Sequence, residues 1–168
     1  NSEISKNNFV YQIDPERNQL VVAKLTNQFH KAIIKHELLA DMLCITVNKD
    51  VIYNCLLFLR DDQELQFNFL TTLCGMHYPE QNQLGVVYHL HSFVKNHRIR
   101  IKTATDINDP TFPTATTIWP AANWMERETY DFFGILFGDH PNLTRILNVE
   151  DMTAFPLRKD FPLEDQTR

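Results

Sequence analysis

The chain has 168 residues, 43% of them hydrophobic and 22% charged, with a formal net charge of −5 and a pI near 5.8. That length allows one domain with a sizeable core, or a domain and an arm. The acidic balance argues against a nucleic-acid partner, four glycines leave no material for a Gly-rich phosphate loop, and no apolar run approaches the ~20 residues of a membrane-spanning helix.

The first residues lack a basic-then-apolar leader and an Arg-rich transit pattern, and the chain does not begin with Met, as a trimmed start would leave it. Residues 9–13 (FVYQI) and 20–24 (LVVAK) are predicted as two strands around an Asp14-Pro15 turn. Residues 26–40 come next as a predicted amphipathic helix, because Leu25, Phe29, Ala32, Ile33, His36, Leu39 and Ala40 recur at helical spacing. His36 then sits at the edge of the core. Residues 42–47 (MLCITV) read as a buried strand, and Asp50 as the cap of a helix over 51–60 that Asp61-Asp62 breaks.

Residues 64–70 fit a helical turn, and 71–77, 85–94 and 98–105 read as strands. In the last of these Ile99, Ile101 and Thr103 alternate with Arg98, Arg100 and Lys102. The predicted class is α+β: a two-layer α/β sandwich, with two helices on one face of a mixed, largely antiparallel sheet. His89 and His91 share a sheet face, but no third ligand stands nearby, so a polar face explains them better than a metal site. Cys44, Cys55 and Cys74 are too far apart for a CxxC motif, and three thiols cannot complete a four-cysteine cluster site. Their apolar company predicts buried, reduced thiols, which fit a cytoplasmic compartment.

A Pro- and Thr-rich loop over 106–117 precedes a predicted helix over 120–133, opened by Pro120 and ended by Gly134. On a helical wheel Ala121, Trp124, Met125, Glu128 and Phe132 fall in one arc, which predicts a buried Glu128. Arg127 and Asp131, four apart, are predicted to pair. Glu126, Glu128 and Asp131 form an acidic cluster better read as structural ion pairing than as proton chemistry. The prolines at 141, 156 and 162 then predict an extended arm. The domain reading is therefore 1–134 for the α+β unit and 135–168 for an arm making few contacts with it.

Two dense motifs dominate this end of the chain. They are Glu126-Arg127-Glu128…Tyr130-Asp131…Phe133-Gly134 and Pro156-Leu157-Arg158-Lys159-Asp160-Phe161-Pro162. Between them lie Gly138, His140-Pro141, Leu143 and Arg145-Ile146-Leu147. The order and spacing resemble the C subunit of the NADH-quinone oxidoreductases of respiratory complex I. More weakly, Tyr78-Pro79, Val86-Val87-Tyr88-His89-Leu90, Ile99–Lys102 and Trp119–Trp124 extend the likeness to about residues 60–163. His77 departs from a usual aspartate, Thr144 from a usual arginine, and Met152-Thr153-Ala154 from an aromatic-x-Gly pattern.

The resemblance implies a structural subunit of the peripheral arm. It would carry no cofactor of its own; iron–sulfur clusters, flavin and quinone belong to partner subunits. It would dock on subunits D and B, near the two-cluster iron–sulfur subunit, on the cytoplasmic side of a bacterial inner membrane or the matrix side of an organellar one. The sequence ends soon after PLRKDFPL, so a separate C subunit rather than a C–D fusion is expected. The expected partner-facing residues are Glu126, Arg127, Glu128, Tyr130, Asp131, His140, Arg145, Arg158, Lys159, Asp160 and Phe161. Two alternatives compete: the equivalent scaffold subunit of a related energy-converting hydrogenase or quinone-linked dehydrogenase, and a small stand-alone hydrolase using His140 and the acidic cluster.

Overall fold

Asp14-Pro15 opens a helix instead of turning between two strands. In the computed structural model, which describes residues 14–162, Asp14 is an extended N-cap whose side chain accepts from the Arg17 N–H at 3.0 Å. Pro15 takes the first helical position, where its missing N–H costs nothing. The helix α1 spans Pro15–Phe29 and buries Val21 and Leu25. The predicted strand at 20–24 is therefore helical, and the one at 9–13 lies outside the described residues.

The predicted helix over 26–40 keeps only the end of α1. A 3-10 turn at His30–Ala32 leads into the strand β1, Ile33–Leu39. The misleading stripe had a physical source: Val21, Leu25 and Phe29 are spaced by four, and Ile33 happens to continue the series into a strand. β1 is also a sheet edge, with Ile34 63% and Leu38 51% exposed, so its alternation is weak. His36 is exposed on it instead of bordering the core.

The strand β2 spans Met42–Val47 as predicted. Asn48, not Asp50, is the capping residue after it: its side chain accepts from the Asp50 N–H at 3.0 Å and opens a 3-10 turn into α2, Ile52–Asp61. α2 buries Ile52, Cys55, Leu56 and Leu59. Asp62 then ends it by accepting from the Glu64 and Leu65 N–H groups, at 2.9 and 3.1 Å. The strands β3 (Phe69–Tyr78), β4 (Gln83–Ser92) and β5 (His97–Asp106) complete a five-stranded sheet in the order β1-β2-β5-β4-β3. β2 and β5 run parallel and the other neighbours antiparallel. The sheet is mixed and largely antiparallel, as expected.

Register sorts the two faces. Ile45 stands opposite Ile101, Ile101 opposite Tyr88, and Tyr88 opposite Leu73, all facing the helical layer and its core. The alternate positions put Arg100 beside His89, whose Nε2 accepts from Arg100 Nε at 3.2 Å. This is the polar face predicted for the histidines, and no metal-holding cluster occurs among the described residues. All three cysteines are free; Cys44 and Cys55 are buried as expected, whereas Cys74, on the outer face of edge strand β3, is exposed.

A short parallel pair, β6 (Thr111–Pro113) and β7 (Leu136–Gly138), brackets the helix α3, Ala122–Phe133. Gly134 ends α3 in the left-handed region, with φ 71°. α3 lies on β3 at Gly75, where a Cβ would sit 2.5 Å from the Phe133 ring and 3.0 Å from the Thr129 methyl. Gly75→Ala should therefore lower stability by about 1–3 kcal/mol through overpacking. Chemical denaturation of the purified variant checks this.

Candidate functional site: the clamp between the third helix and the arm

α3 turns a different arc inward from the one the wheel suggested. Ala122, Glu126, Thr129 and Asp131 are buried, while Glu128 is exposed and Trp124 is 63% exposed. Bulk misled the wheel argument. The close approach at Gly75 admits Thr129, and the large Trp124 ring goes outside with the Arg127 guanidinium 5.1 Å above it. The carboxylate needing a partner inside is thus Glu126 or Asp131, not Glu128.

Asp131 finds its partner across 14 residues, in Arg145 instead of Arg127. Arg145 Nη1 donates to Asp131 Oδ1 at 2.7 Å and to the Asp131 carbonyl at 2.9 Å. Asp131 Oδ2 accepts the consecutive backbone N–H groups of Ile146, Leu147 and Asn148 at 3.1, 2.8 and 2.9 Å. Asn148 Nδ2 adds a bond to Oδ1 at 3.0 Å. Burial alone would raise this carboxyl, but the N–H groups of Asn148 and Leu147 and the Arg145 guanidinium outweigh it and hold it far below the usual carboxylate range.

Arg145 also ties down the chain beyond it, donating from Nη2 to the Met152 and Ala154 carbonyls, with its guanidinium 5.3 Å from the Phe155 ring. Arg127, freed from Asp131, donates to the Thr144 and Arg145 carbonyls at 3.1 and 3.0 Å. Further on, the Leu157 N–H bonds the Phe132 carbonyl at 3.1 Å and Arg158 Nε the Phe133 carbonyl at 2.6 Å. Those carbonyls sit at the C-terminal end of α3, where cations are favoured. The Lys159 N–H donates to His77 Nδ1 at 3.0 Å, so His77 serves as an acceptor for the arm. The expectation of few contacts is overturned: the arm through Phe161 folds back on α3 and β3. Prolines and mixed charge deny it a core of its own, but Asp131 and the open carbonyls of α3 supply backbone partners instead.

The expected partner-facing residues divide accordingly. Glu126, Asp131 and Arg145 are buried and serve the chain's own fold. Arg127, Tyr130, Arg158 and Phe161 are half-buried, and Glu128, Lys159 and Asp160 are exposed. His140 has its side chain buried, with Nε2 on the Asn123 carbonyl at 3.2 Å and Nδ1 accepting from the Asn142 N–H at 3.0 Å. Its Nε2 is 3.9 Å from Glu126 Oε2. Glu126 itself accepts from the Ala115 N–H and from Thr114 Oγ1, both at 2.6 Å, and burial pushes its carboxyl up to about 7. Both nitrogens of His140 are engaged with backbone and both side chains are inaccessible, so this geometry does not support the hydrolase reading.

Sequence reasoning missed His77, Thr114, Asn148 and Phe155. It also missed the exposed apolar side chains of Leu147 (69%) and Val149 (67%), whereas Leu157, expected as an apolar anchor of the docking segment, is 54% exposed. Arg145, the only cation between Arg127 and Arg158, was the signal available in the sequence.

With that geometry in place, likeness to known proteins is decisive. Residues 45–167 match the model of the respiratory-chain NADH dehydrogenase 30-kDa subunit family. The chain belongs to that family. It is 42% identical to the NADH-quinone oxidoreductase C subunit of Hyphomonas neptunium, over 85% of this chain and 71% of that one. It is 44% identical to the corresponding C subunit of a Roseiflexus species, over 87% and 84%. Among solved structures, a trypsin-resistant fragment of Nqo5 superposes with a TM-score of 0.62 at 26% identity, over 75% of this chain and 99% of the fragment. A chain of the membrane-bound sulfane sulfur reductase, an archaeal respiratory membrane complex, reaches 0.71 at 26% identity over 88% and 86%. This family member is thus a component of a multisubunit oxidoreductase. No helix among its described residues is long and apolar enough to cross a membrane.

Asp131→Ala removes the acceptor shared by the arm's donors and leaves Arg145 buried and unpaired, so it should cost about 3 kcal/mol or more. Limited proteolysis should then cut within residues 143–158 at concentrations that spare the parent. Because the folded-state value of Asp131 lies below its ordinary 3.8, the stability it supplies is present above that value and is lost as pH falls through the depressed one.

Proposed function

We propose that this chain is a non-redox scaffold of complex I, docking on subunits D and B to support the quinone-reducing module from the peripheral arm. It lies near the two-cluster iron–sulfur subunit on the cytoplasmic side of a bacterial membrane, or the matrix side in an organelle. The clusters, flavin and quinone sit in partner subunits, and this chain does not itself catalyse electron transfer. One observation carries the reading. The clamp uses the Arg127, Asp131 and Arg158 side chains of the two signature motifs to hold the arm to α3, and leaves Trp124, Glu128, Leu147, Val149 and Leu157 exposed on the held elements. Fixed apolar side chains with charge at their margin make an interface that needs no ordering on contact.

The docking role therefore shifts from the arginines and aspartates of the motifs to the side chains they present. Arg158 and Asp160 were expected to pair with the D subunit, but Arg158 is occupied by the Phe133 carbonyl and by the Phe155 ring at 4.5 Å. Arg158→Glu should consequently destabilise the free chain.

The likeness to the sulfane sulfur reductase chain supports a second reading, in which the same scaffold serves a related respiratory membrane complex with another electron donor. Mass spectrometry of the proteins co-purifying with the native chain separates the two. Flavin-carrying NADH-oxidising subunits support the first and their absence, with another donor module present, the second.

The double variant Trp124→Ala/Leu147→Ala tests the interface. The stability of the free chain should stay within about 0.5 kcal/mol of the parent, since both side chains are exposed. The yield of intact complex on a native gel should fall several-fold. Normal assembly would refute docking through this surface.

A further inference from the structure

Glu126 is a fully buried carboxyl with no cation bonded to it among the described residues. Its acceptors are met by neutral donors only, the Thr114 hydroxyl and the Ala115 N–H. Four elements face it. From α3 itself, Arg127 points away to the Thr144 and Arg145 carbonyls and Glu128 is exposed. From β4 comes Tyr88, whose buried hydroxyl lies within electrostatic reach of Glu126 and finds no hydrogen-bond partner among the described residues. After β7 comes His140, and from the loop after β6 come Thr114 and Thr116.

His140 cannot supply the missing charge cheaply. Its Nδ1 accepts from the Asn142 N–H, and a second proton there would break that bond. Burial accordingly pushes its protonation down. A proton entering this cluster goes to the carboxyl.

The hydroxyls give it a route. Thr114 Oγ1 is 2.6 Å from Glu126 Oε2 and 2.9 Å from Thr116 Oγ1, and Thr116 is half-buried. Thr114 also lines an open cleft of about 680 Å³, whose charged groups are Lys49, Asp50, Asp109 and Asp139. Lys49 is bonded to Asp109 at 2.6 Å there. With Glu126 ionised, Thr116 donates to Thr114 and Thr114 to the carboxylate. With Glu126 protonated, the carboxyl O–H donates to Thr114 and Thr114 to Thr116. One proton is gained, no bond in the chain is lost, and only the direction of donation reverses.

We propose that Glu126 is a proton-binding site reached through the Thr114 and Thr116 hydroxyls, whose occupancy sets the direction of donation between α3 and the 114–116 loop and makes the stability of the chain depend on pH. The proposal is independent of any partner and concerns the full chain alone. Protonation is retained in the folded state where an unfolded glutamate has lost its proton. The stability it gives is therefore fully present below the ordinary glutamate value and disappears as pH rises through the folded one. Histidines with lowered folded values, such as His97 and His140, act with the opposite sign over the same range. Only a difference between variants isolates Glu126.

The test is a carbon-13 carboxyl NMR titration of the full chain labelled at glutamate. One resonance should titrate with a midpoint near 7, against about 4.3 for ordinary glutamates. It should vanish in Glu126→Gln, whose melting temperature should gain on the parent as pH rises through that midpoint. Should Glu126→Gln fail to fold, Thr114→Val takes its place: loss of the hydroxyl that favours the ionised form should move the midpoint up. A spectrum in which every glutamate titrates in the ordinary range, or a high midpoint untouched by both variants, overturns the proposal.

Discussion

The described part of the arm after β7 depends on one carboxylate. Asp131 stands on the last turns of α3 and receives three successive backbone N–H groups together with a guanidinium. Three consecutive amides converge on one oxygen only where the chain turns tightly around it, so the residue fixes the path of Ile146–Asn148 as well as their position. A segment that cannot make a helix or a sheet still has to satisfy its backbone. Here it does so on a side chain. Arg145 extends the effect, because the same guanidinium that pairs with Asp131 gathers the Met152 and Ala154 carbonyls. The guanidinium groups of this arginine and of Arg158 both lie against the Phe155 ring.

Asp131 and Glu126 lie on the same helix, both fully buried, yet their environments drive them in opposite directions. Asp131 receives charge-assisted and backbone bonds in sufficient number to stay ionised at any ordinary pH. Glu126 receives two short bonds from neutral groups, and desolvation wins. Glu126 lies deeper in the protein and has fewer donors, none of them charged. Their roles differ too: Asp131 pins the arm, and Glu126 joins α3 to the loop after β6.

Part of the sheet was legible because β3 and β5 obey period two; Ile99, Ile101 and Thr103 against Arg98, Arg100 and Lys102 needed no tertiary knowledge to assign. The N-terminal part was misread where local signals conflict. A β-branched pair in Val21-Val22 suggests strand, while Asp14-Pro15-Glu16 is a helix start, and capping chemistry prevailed over propensity. β1 was hidden because an edge strand with both faces partly wet has little alternation to show. The family could be read from the order of the signature residues, but their contacts could not. Helical spacing places Arg127 one turn from Asp131, which makes the pair plausible in isolation. Arg145 wins through the bond its second nitrogen makes to distant carbonyls, and no periodicity encodes that.

The wheel failed on α3 for a related reason. A helical wheel finds arcs but not which of them faces the sheet, and hydrophobicity is a poor guide when the sheet offers a glycine. Gly75 permits a close approach that only Thr129 and the edge of Phe133 can fill. Choosing that contact turns Trp124 outward and Glu126 inward, and Glu126 must then find Thr114 and Ala115. Trp124 faces the solvent as a consequence, with Arg127 covering one side of its ring. The exposed aromatic and the buried acid are therefore two results of one packing choice. A partner that recognises Trp124 reads, at one remove, whether the interior of α3 is correctly made.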